Sequence, residues 1–319
     1  MTDIATGPPS STAGRPEAIK AIPVRHPWRW VSAVLVGLIS FELIYTVATA
    51  PYMRWEFVGK FLFNRLVIQG VQLTIVLTIA AMVIGIVGGI LLAVMRLSPN
   101  PVMSSVSWVY IWFFRGTPVL VQIFFWFNLA IILPYVGFHI PGTGIGVSWS
   151  TNVLISALTA AILGLGCNEA AYMAEIVRAG IISVDEGQTE AAQALGMTRL
   201  QFMQRIVLPQ AMRVIVPPTG NETISMLKTT SLAYTASVPE LFTRSNQIAN
   251  ANYQIVELLF VASIWYLLMT SILTVGQYYI ERYFARGSQR ELPETPLHRF
   301  RRLFFTYRVP LGSDHGRQG

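Results

Sequence analysis

The stretch EAAQALGMTRLQFMQRIVLP, residues 190–209, is a polar interruption between strongly apolar runs. Because its polar groups would be costly in hydrocarbon, we expect it to lie at a membrane surface. Its first part consists of strong helix formers, and Gly196 supplies the left-handed residue that ends such a helix. Thr198 and Gln201 have the spacing of a capping box, which starts a second helix, and Leu208-Pro209 is expected to close the unit. The stretch therefore predicts a rigid helical corner.

The rest of the chain has the composition of a membrane protein. Of its 319 residues, 53% are hydrophobic and only 12% are charged. Several apolar runs reach about 20 residues, the length that crosses a bilayer. The predicted fold class is therefore all-α: a polytopic helical integral membrane protein, with membrane lipid as its surroundings. Nucleic acid is not predicted as a partner, because no folded basic domain with interleaved aromatic residues accompanies the net charge of +7.

Six membrane spans are predicted, and they divide into an extra N-terminal span and a five-span core. The spans are residues 30–50, 66–95, 119–135, 152–182, 205–227 and 253–284. The predicted domains are a disordered N-terminal tail at 1–28, the extra span at 29–50, the core at 64–284 and a basic C-terminal tail at 285–319. An even number of spans and the arginine-rich tails place both termini in the cytoplasm.

The segments between the spans are interpreted as less regular. Residues 102–114 are expected to form an interfacial helix, and residues 51–65 and 136–146 are expected to be links. Residues 228–252 are interpreted as polar and irregular.

The first predicted span raises two questions. Glu42 lies near its middle, where contact with lipid is costly, so we expect Glu42 to face other helices. Ala48-Thr49-Ala50 has the pattern of a signal-peptidase site. Pro51 follows that pattern, and the apolar run is longer than in a signal peptide. We therefore expect an uncleaved span.

Glycine and proline mark two further spans. Gly85 and Gly89 form a small-xxx-small pair suited to close helix packing. Pro217-Pro218 and Gly220 are expected to interrupt the span at 205–227. Backbone broken at membrane depth is tolerated only against protein or a wet cavity.

The sequence carries no pattern for catalysis. It has no G-x-x-x-x-G-K-[S/T] phosphate loop, so an ATP-driven process would need ATP bound by a partner subunit. The acidic residues do not cluster with histidine at metal spacing, and no Ser/His/Asp or Cys/His set can be argued. The chain is therefore predicted not to be an enzyme and to hold no cofactor or metal of its own.

Lys228 and Glu222 are the first candidates for binding a substrate. Lys228 ends an apolar run and either meets a substrate carboxylate or snorkels to the membrane interface. Glu222 either meets an ammonium group or pairs with a helix end. Six positions separate the two, so they lie on different faces of an unbroken helix.

A second polar group interrupts the span predicted at 152–182. Glu169 and Tyr172 share a helix face, and Glu175 can reach Arg178 one turn later. Tyr172 and Asn168 either line a polar path or form hydrogen bonds between helices. Glu175 and Arg178 are interpreted as a structural pair.

The stretch at 190–209 resembles the coupling loop of the membrane subunits of ATP-binding-cassette importers. That loop has the pattern E-A-A-x₃-G-x₉-I-x-L-P, which the chain matches with Glu190, Ala191, Ala192, Gly196, Ile206, Leu208 and Pro209. FRGTP at 114–118, AYMAEIVRAG at 171–180, LPQA at 208–211 and KTTSL at 228–232 extend the likeness. Together they resemble the polar amino-acid (histidine/glutamine/arginine/opine) uptake permeases over roughly residues 64–284.

This resemblance implies a multi-pass permease subunit of an ATP-driven amino-acid importer in the cell inner membrane. The implied partners are an ATPase that binds the coupling loop at 183–209, an extracytoplasmic substrate-binding protein, and a second permease subunit, the same chain or a different one. ATP would be bound by the ATPase. With the polar groups described above, the expected substrate-binding residues are Lys228, Thr229, Glu222, Asn221, Tyr172 and Glu169.

The chain departs from the family pattern at Thr229, where many members have aspartate. An acidic residue there would suit an α-ammonium group. In its absence Glu222, Glu169 or a partner permease supplies the negative charge, or recognition of the amino group is weak.

Two other functions were weighed. An ion-gradient secondary carrier of small polar solutes would need inverted internal repeats, which the sequence does not show. The broken polar span at 205–227 argues against a non-transporting scaffold.

Overall fold

The computed structural model describes residues 27–139 and 146–284. The predicted tails, 1–28 and 285–319, lie outside the described residues except for the first two positions of α1. The described residues fall into two units, divided between Ala50 and Pro51.

The described part of the first unit is one apolar helix, α1 (Pro27–Ala48). Within it, Trp30–Ala48 is long and apolar enough to cross a membrane. Trp28 and Trp30 are exposed, as interfacial anchors would be. Glu42 is also exposed on α1, and its expected contact with other helices stays a prediction.

The second unit contains the remaining helices and one hairpin. Its helices are α2 (Trp55–Leu62), α3 (Arg65–Arg96), α4 (Pro101–Gly116), α5 (Val119–Phe127), α6 (Leu129–Ile132), α7 (Thr151–Leu154), α8 (Ala157–Ile182), α9 (Glu186–Ala194), α10 (Arg199–Phe202), α11 (Leu208–Thr229), α12 (Leu241–Asn252) and α13 (Ile255–Phe284). A π-helix, Met203–Val207, joins α10 to α11, and a 3₁₀ helix, Thr230–Ala236, follows α11. Strands β1 (Tyr135–His139) and β2 (Gly146–Ser150) pair antiparallel, with Tyr135 opposite Ser150.

Fewer helices have the length and apolar composition of a membrane span than the six spans that the sequence predicts. In the described ranges four helices are long and apolar enough to span a membrane, namely α1, α3, α8 and α13. α4 and α5 together would make a fifth, but they meet at a bend of 101°. The continuous span predicted at 119–135 is therefore wrong, because α5 ends at Phe127 and the chain soon enters β1. A sixth crossing requires α11, which has the length but not the apolar composition.

Three segments predicted as links or as irregular contain regular secondary structure. Residues 51–65 contain the amphipathic helix α2, whose Val58 is buried. The link at 136–146 includes most of β1 and the first residue of β2, and residues 140–145 within it are outside the described part. The segment at 228–252 contains α12, because the carboxylate of Glu240 accepts hydrogen bonds from the backbone N–H groups of Phe242 and Thr243 and so caps this helix.

α3 and α8 form the most extensive helix contact in the second unit. Gly85 lies against the side chain of Glu169, and Gly89 lies against Met173, so the two helices run parallel. A Cβ atom on Gly89 would come within 2.4 Å of the Met173 Cβ and 2.9 Å of the Ala174 backbone nitrogen. The predicted role of these glycines in close packing is confirmed.

Replacing Gly89 with alanine is expected to lower the free energy of unfolding by about 1–3 kcal/mol, the usual effect of overpacking. The colliding atoms are Cβ and backbone atoms of α8, which cannot move aside as a flexible side-chain end can. The measurement is thermal unfolding of the detergent-purified chain. Gly276→Ala on α13 is the control, because no described atom lies within 4 Å of the added Cβ. Equal melting temperatures for both variants would contradict the prediction.

The helical corner predicted at 190–209 is present. Gly196 has φ +68° and follows α9, and its N–H donates to the Gln193 carbonyl at 2.9 Å while the Met197 N–H donates to Ala192 at 3.0 Å. These two hydrogen bonds form a Schellman motif, which ends α9. Thr198 and Gln201 form the predicted capping box in both directions.

The sequence predicts that the helical corner ends at Leu208-Pro209, but the helix does not end there. Pro209 lies in the first turn of α11, directly after the π-helix, and α10, the π-helix and α11 follow one another without a break. The predicted interruption at Pro217-Pro218 is also wrong, because both prolines lie inside α11. α13 packs on this part of α11, and Gln277 Nε2 donates to the Pro217 carbonyl at 3.3 Å.

Candidate functional site

A polar cavity of about 540 Å³ lies within the second unit, where α4, α5, α8 and α11 meet. α8 contributes Asn168, Glu169 and Tyr172, and α11 contributes Glu222, Ser225, Met226 and Thr229. The α4–α5 bend contributes residues 115–119. Its volume falls within the range of about 300–1,000 Å³ that is usual for small-molecule sites.

The bend between α4 and α5 is held by two amide side chains. Gln122 Nε2 donates to the carbonyls of Phe114 and Thr117 at 2.9 and 3.0 Å, and Asn168 Nδ2 donates to the Phe114 carbonyl at 2.8 Å. These bonds satisfy carbonyls at the end of α4 that have no partner in the helix. They fix the backbone on both sides of Arg115, which lines the cavity.

Arg115 stacks on Tyr172 at the edge of the cavity. The guanidinium carbon lies 5.1 Å from the centre of the Tyr172 ring, which is within cation–π distance. The guanidinium therefore stands beside the acidic wall formed by α8 and α11.

Glu169 is the most buried charged residue of the cavity, with 3% of its surface exposed. Gly85 gives it room, because the Glu169 Cγ occupies the space that a side chain at position 85 would fill. In the described ranges no donor reaches the Glu169 Oε1 atom. Since a buried carboxylate without a partner is costly, this oxygen suits a ligand that carries a hydrogen-bond donor or a positive charge.

One face of α11 forms the opposite wall. Glu222, Ser225, Met226 and Thr229 recur at spacings of three and four, so they point in the same direction. Of the expected substrate-binding residues, Glu169, Tyr172, Glu222 and Thr229 thus meet around one cavity.

Two of the expected substrate-binding residues lie elsewhere. Lys228 is exposed and does not line this cavity, and Asn221 Oδ1 accepts a hydrogen bond from Gln277 Nε2 of α13 at 3.0 Å. Their roles in binding stay predictions.

Sequence reasoning gave no role to Arg115. It lies within FRGTP, a motif used only for the resemblance, and the available signal was a lone arginine between an apolar helix and a Gly-Thr-Pro turn. Arg115 lies near Glu169 and Glu222 only because the chain bends after α4.

The structural pair predicted on α8 is present. Arg178 Nη2 lies 2.7 Å from Glu175 Oε2, one helical turn away. Within the described part of the chain, no group of three or more His, Cys, Asp and Glu residues has an arrangement that could hold a metal ion.

The helical corner presents an exposed surface. Leu195 and Leu200 are 79% and 66% exposed on the two sides of Gly196, and Glu190 and Ala191 are exposed as well. Ala192 is buried, which anchors α9. Two exposed leucines on a rigid corner are suited to contact with another protein.

Membrane-spanning helices around a polar cavity, with an exposed helical corner leading into a cavity wall, define a transport protein rather than an enzyme. The chain belongs to the family described as binding-protein-dependent transport system inner membrane component, whose model matches residues 85–286. It is thus a multi-pass permease subunit of an ATP-binding-cassette importer, a class that works with an ATPase and a binding protein. This assignment does not favour an ion-gradient carrier.

Individual relatives are consistent with this family assignment. The chain is 47% identical over 296 residues to the arginine transport system permease protein ArgU of Corynebacterium glutamicum, covering 92% of this chain and 91% of ArgU. It is 40% identical over 233 residues to the probable amino-acid permease protein YxeN of Bacillus subtilis, covering 73% and 96%. A crystal structure of an amino acid ABC transporter with histidines has a TM-score of 0.62 and 32% identity, covering 72% of this chain and 100% of that one.

Proposed function

We propose that this permease subunit imports a cationic amino acid, with arginine as the leading candidate, and binds it in the cavity between α4, α8 and α11. The observation that carries the proposal is the buried Glu169 carboxylate, whose Oε1 has no partner in the described ranges. The arginine named for ArgU and the amino acid named for YxeN support the substrate class.

The charges in the cavity match such a substrate. Its lining has two carboxyl groups, Glu169 and Glu222, and one guanidinium, Arg115. Arginine carries one carboxylate and two cationic groups, so each charge of the ligand has an opposite charge to meet. Arg115 is suited to bidentate contact with the carboxylate, and the two glutamates are suited to the ammonium and the guanidinium. This supplies the negative charge that Thr229 does not provide.

The proposed partners are those of an ATP-binding-cassette importer. An ATPase binds the exposed corner at 190–209, an extracytoplasmic binding protein delivers the amino acid to the other end, and a second permease chain, identical or different, completes the pathway. If α11 crosses the membrane along with α1, α3, α8, α13 and the α4–α5 pair, the crossings are even in number. Both termini then lie in the cytoplasm with the corner.

The continuous helix from Thr198 to Thr229 provides the mechanical connection. The corner leads through α10 and the π-helix directly into α11, which carries Glu222 and Thr229 into the cavity wall. A displacement of the corner by the ATPase therefore moves one wall of the cavity relative to α8. Within this connection, the π-helix is less regular than α10 and α11.

The test is uptake by liposomes that contain the complete transporter with its ATPase and binding protein. We expect ATP-dependent uptake of radiolabelled arginine and at least about tenfold slower uptake of glutamine, which has no cation on its side chain and so loses one charged contact. Glutamine uptake as fast as that of arginine would contradict the cationic specificity. Arginine uptake that persists without the ATPase would contradict the importer mechanism.

A further inference from the structure

A second polar cavity, of about 490 Å³, lies on the other side of Arg115 and Tyr172. Its lining includes Arg96, Trp112 and Glu175, and it shares Arg115, Gly116 and Tyr172 with the first cavity. No part of the proposed substrate site accounts for this second cavity.

The second cavity lies nearer the coupling corner. α3 and α8 run parallel, and Arg96 is the last residue of α3. Along α8, Glu169, Tyr172 and Glu175 follow one another toward Ile182, where the helix ends shortly before the corner begins. The first cavity, the Arg115–Tyr172 pair and the second cavity are therefore arranged in that order toward the corner.

The Arg115–Tyr172 pair separates the two cavities by a contact that a cation can replace. The guanidinium carbon of Arg115 lies 5.1 Å from the Tyr172 ring centre, and a ring face attracts an arginine-like substrate in the same way. The bonds from Gln122 and Asn168 hold the backbone next to Arg115, so the long side chain can swing while the bend stays fixed. Apart from its chain neighbours and its own helix backbone, no described atom lies within 4 Å of a Cβ placed on Gly116, so there is open space beside Arg115.

We propose that the Arg115–Tyr172 pair is an internal gate, and that a cationic substrate leaves the first cavity by replacing Arg115 on the Tyr172 ring and entering the second cavity. In the second cavity Glu175 is already paired with Arg178 at 2.7 Å and Arg96 adds a positive charge, so a cation is held only weakly there. The second cavity is thus a release site for the cationic end of the substrate. This inference rests on the proposed function, since the exchange requires a cationic amino acid.

The test compares variants of the complete transporter in liposomes supplied with arginine, ATP and the binding protein. The two readouts are the rate of arginine uptake and the number of ATP molecules hydrolysed per arginine transported. Tyr172→Phe keeps an aromatic face and is expected to lower the uptake rate less than the next variant does. Tyr172→Leu removes the ring and is expected to lower the rate about tenfold, in the range of a desolvated cation–π contact.

Removing the guanidinium tests the gate itself. Arg115→Ala is expected to raise the ATP-to-arginine ratio at least about threefold, because a substrate that is not confined slips back before release. Arg115→Lys, which keeps a cation near the ring, is expected to lie between Arg115→Ala and the unmodified protein. Arg282→Ala is the matched control, because Arg282 lines neither cavity and this variant should keep the original ratio. Copurification of the ATPase shows that each variant has assembled.

The outcomes separate the gate from the proposed function. If the unmodified transporter does not carry arginine, the proposed function fails, and the gate fails with it. If it carries arginine but Tyr172→Phe and Tyr172→Leu lower uptake equally, the gate is wrong while the function stands. An unchanged ATP-to-arginine ratio in assembled Arg115→Ala would also overturn the gate alone.

Discussion

Replacing Glu169 with glutamine is expected to reduce ATP-driven arginine uptake at saturating binding protein by about 10- to 100-fold. Glutamine keeps the shape that fits against Gly85, so the packing of α3 on α8 is preserved. What is lost is the charge, and a hydrogen bond to a charged group contributes about 1.5–3 kcal/mol. The effect should be specific to cationic substrates.

The measurement is the initial rate of arginine uptake into liposomes, with ATPase copurification as the check on assembly. Glu56→Gln is the matched control, because it removes one carboxylate from the exposed surface of α2 and lies outside both cavities. The role of Glu169 would be refuted if the Glu169→Gln protein assembled normally and transported arginine at the control rate.

Replacing Gly196 with proline is expected to abolish both ATPase association and ATP-driven uptake while the chain still inserts into the membrane. Gly196 has φ +68°, whereas proline fixes φ near −65° and lacks the N–H that donates to Gln193. The end of α9 then cannot form, and the exposed leucines on the two sides of the corner lose their relative orientation. The change lies outside the spans, so insertion should continue.

Gly196→Asn is the matched control for this prediction. Asparagine adopts positive φ more readily than other side chains, and open space surrounds position 196, so this variant should retain most ATPase association. The measurement is the amount of ATPase that copurifies with each variant after membrane extraction. Equal copurification with the proline and the asparagine variant would show that the corner geometry does not govern docking.

The described helices show which predictions rested on local chemistry. The corner was predicted correctly because its determinants are neighbours in sequence: a glycine after helix formers, and Thr198 three positions before Gln201. The spans at α1, α3, α8 and α13 were also found correctly, since length and apolar composition are local properties. The Gly85 and Gly89 spacing indicated a packing face but not its partner.

The two incorrect predictions, the interruption at Pro217-Pro218 and the continuous span after Pro118, have a common physical cause. Pro217 and Pro218 were expected to interrupt the helix, yet α11 continues through both and packs against α13, whose Gln277 donates to the Pro217 carbonyl. The apolar run after Pro118 looked like a span, but amide groups of Gln122 and Asn168 stabilise a sharp bend before it. In each case a long-range or backward contact outweighed local propensity.

The sequence by itself determined that this protein is a helical membrane permease with a stiff helical corner, because apolar length, helix ends and motif spacing are encoded by neighbouring residues. Only the tertiary structure decided where the polar cavity lies. Arg115, Glu169 and Glu222 come from three separated helices, and Lys228 is left outside their cavity. The bend after α4 and the close contact of α3 with α8 bring those three charges together, and neither can be deduced from the spacing of the charges along the chain.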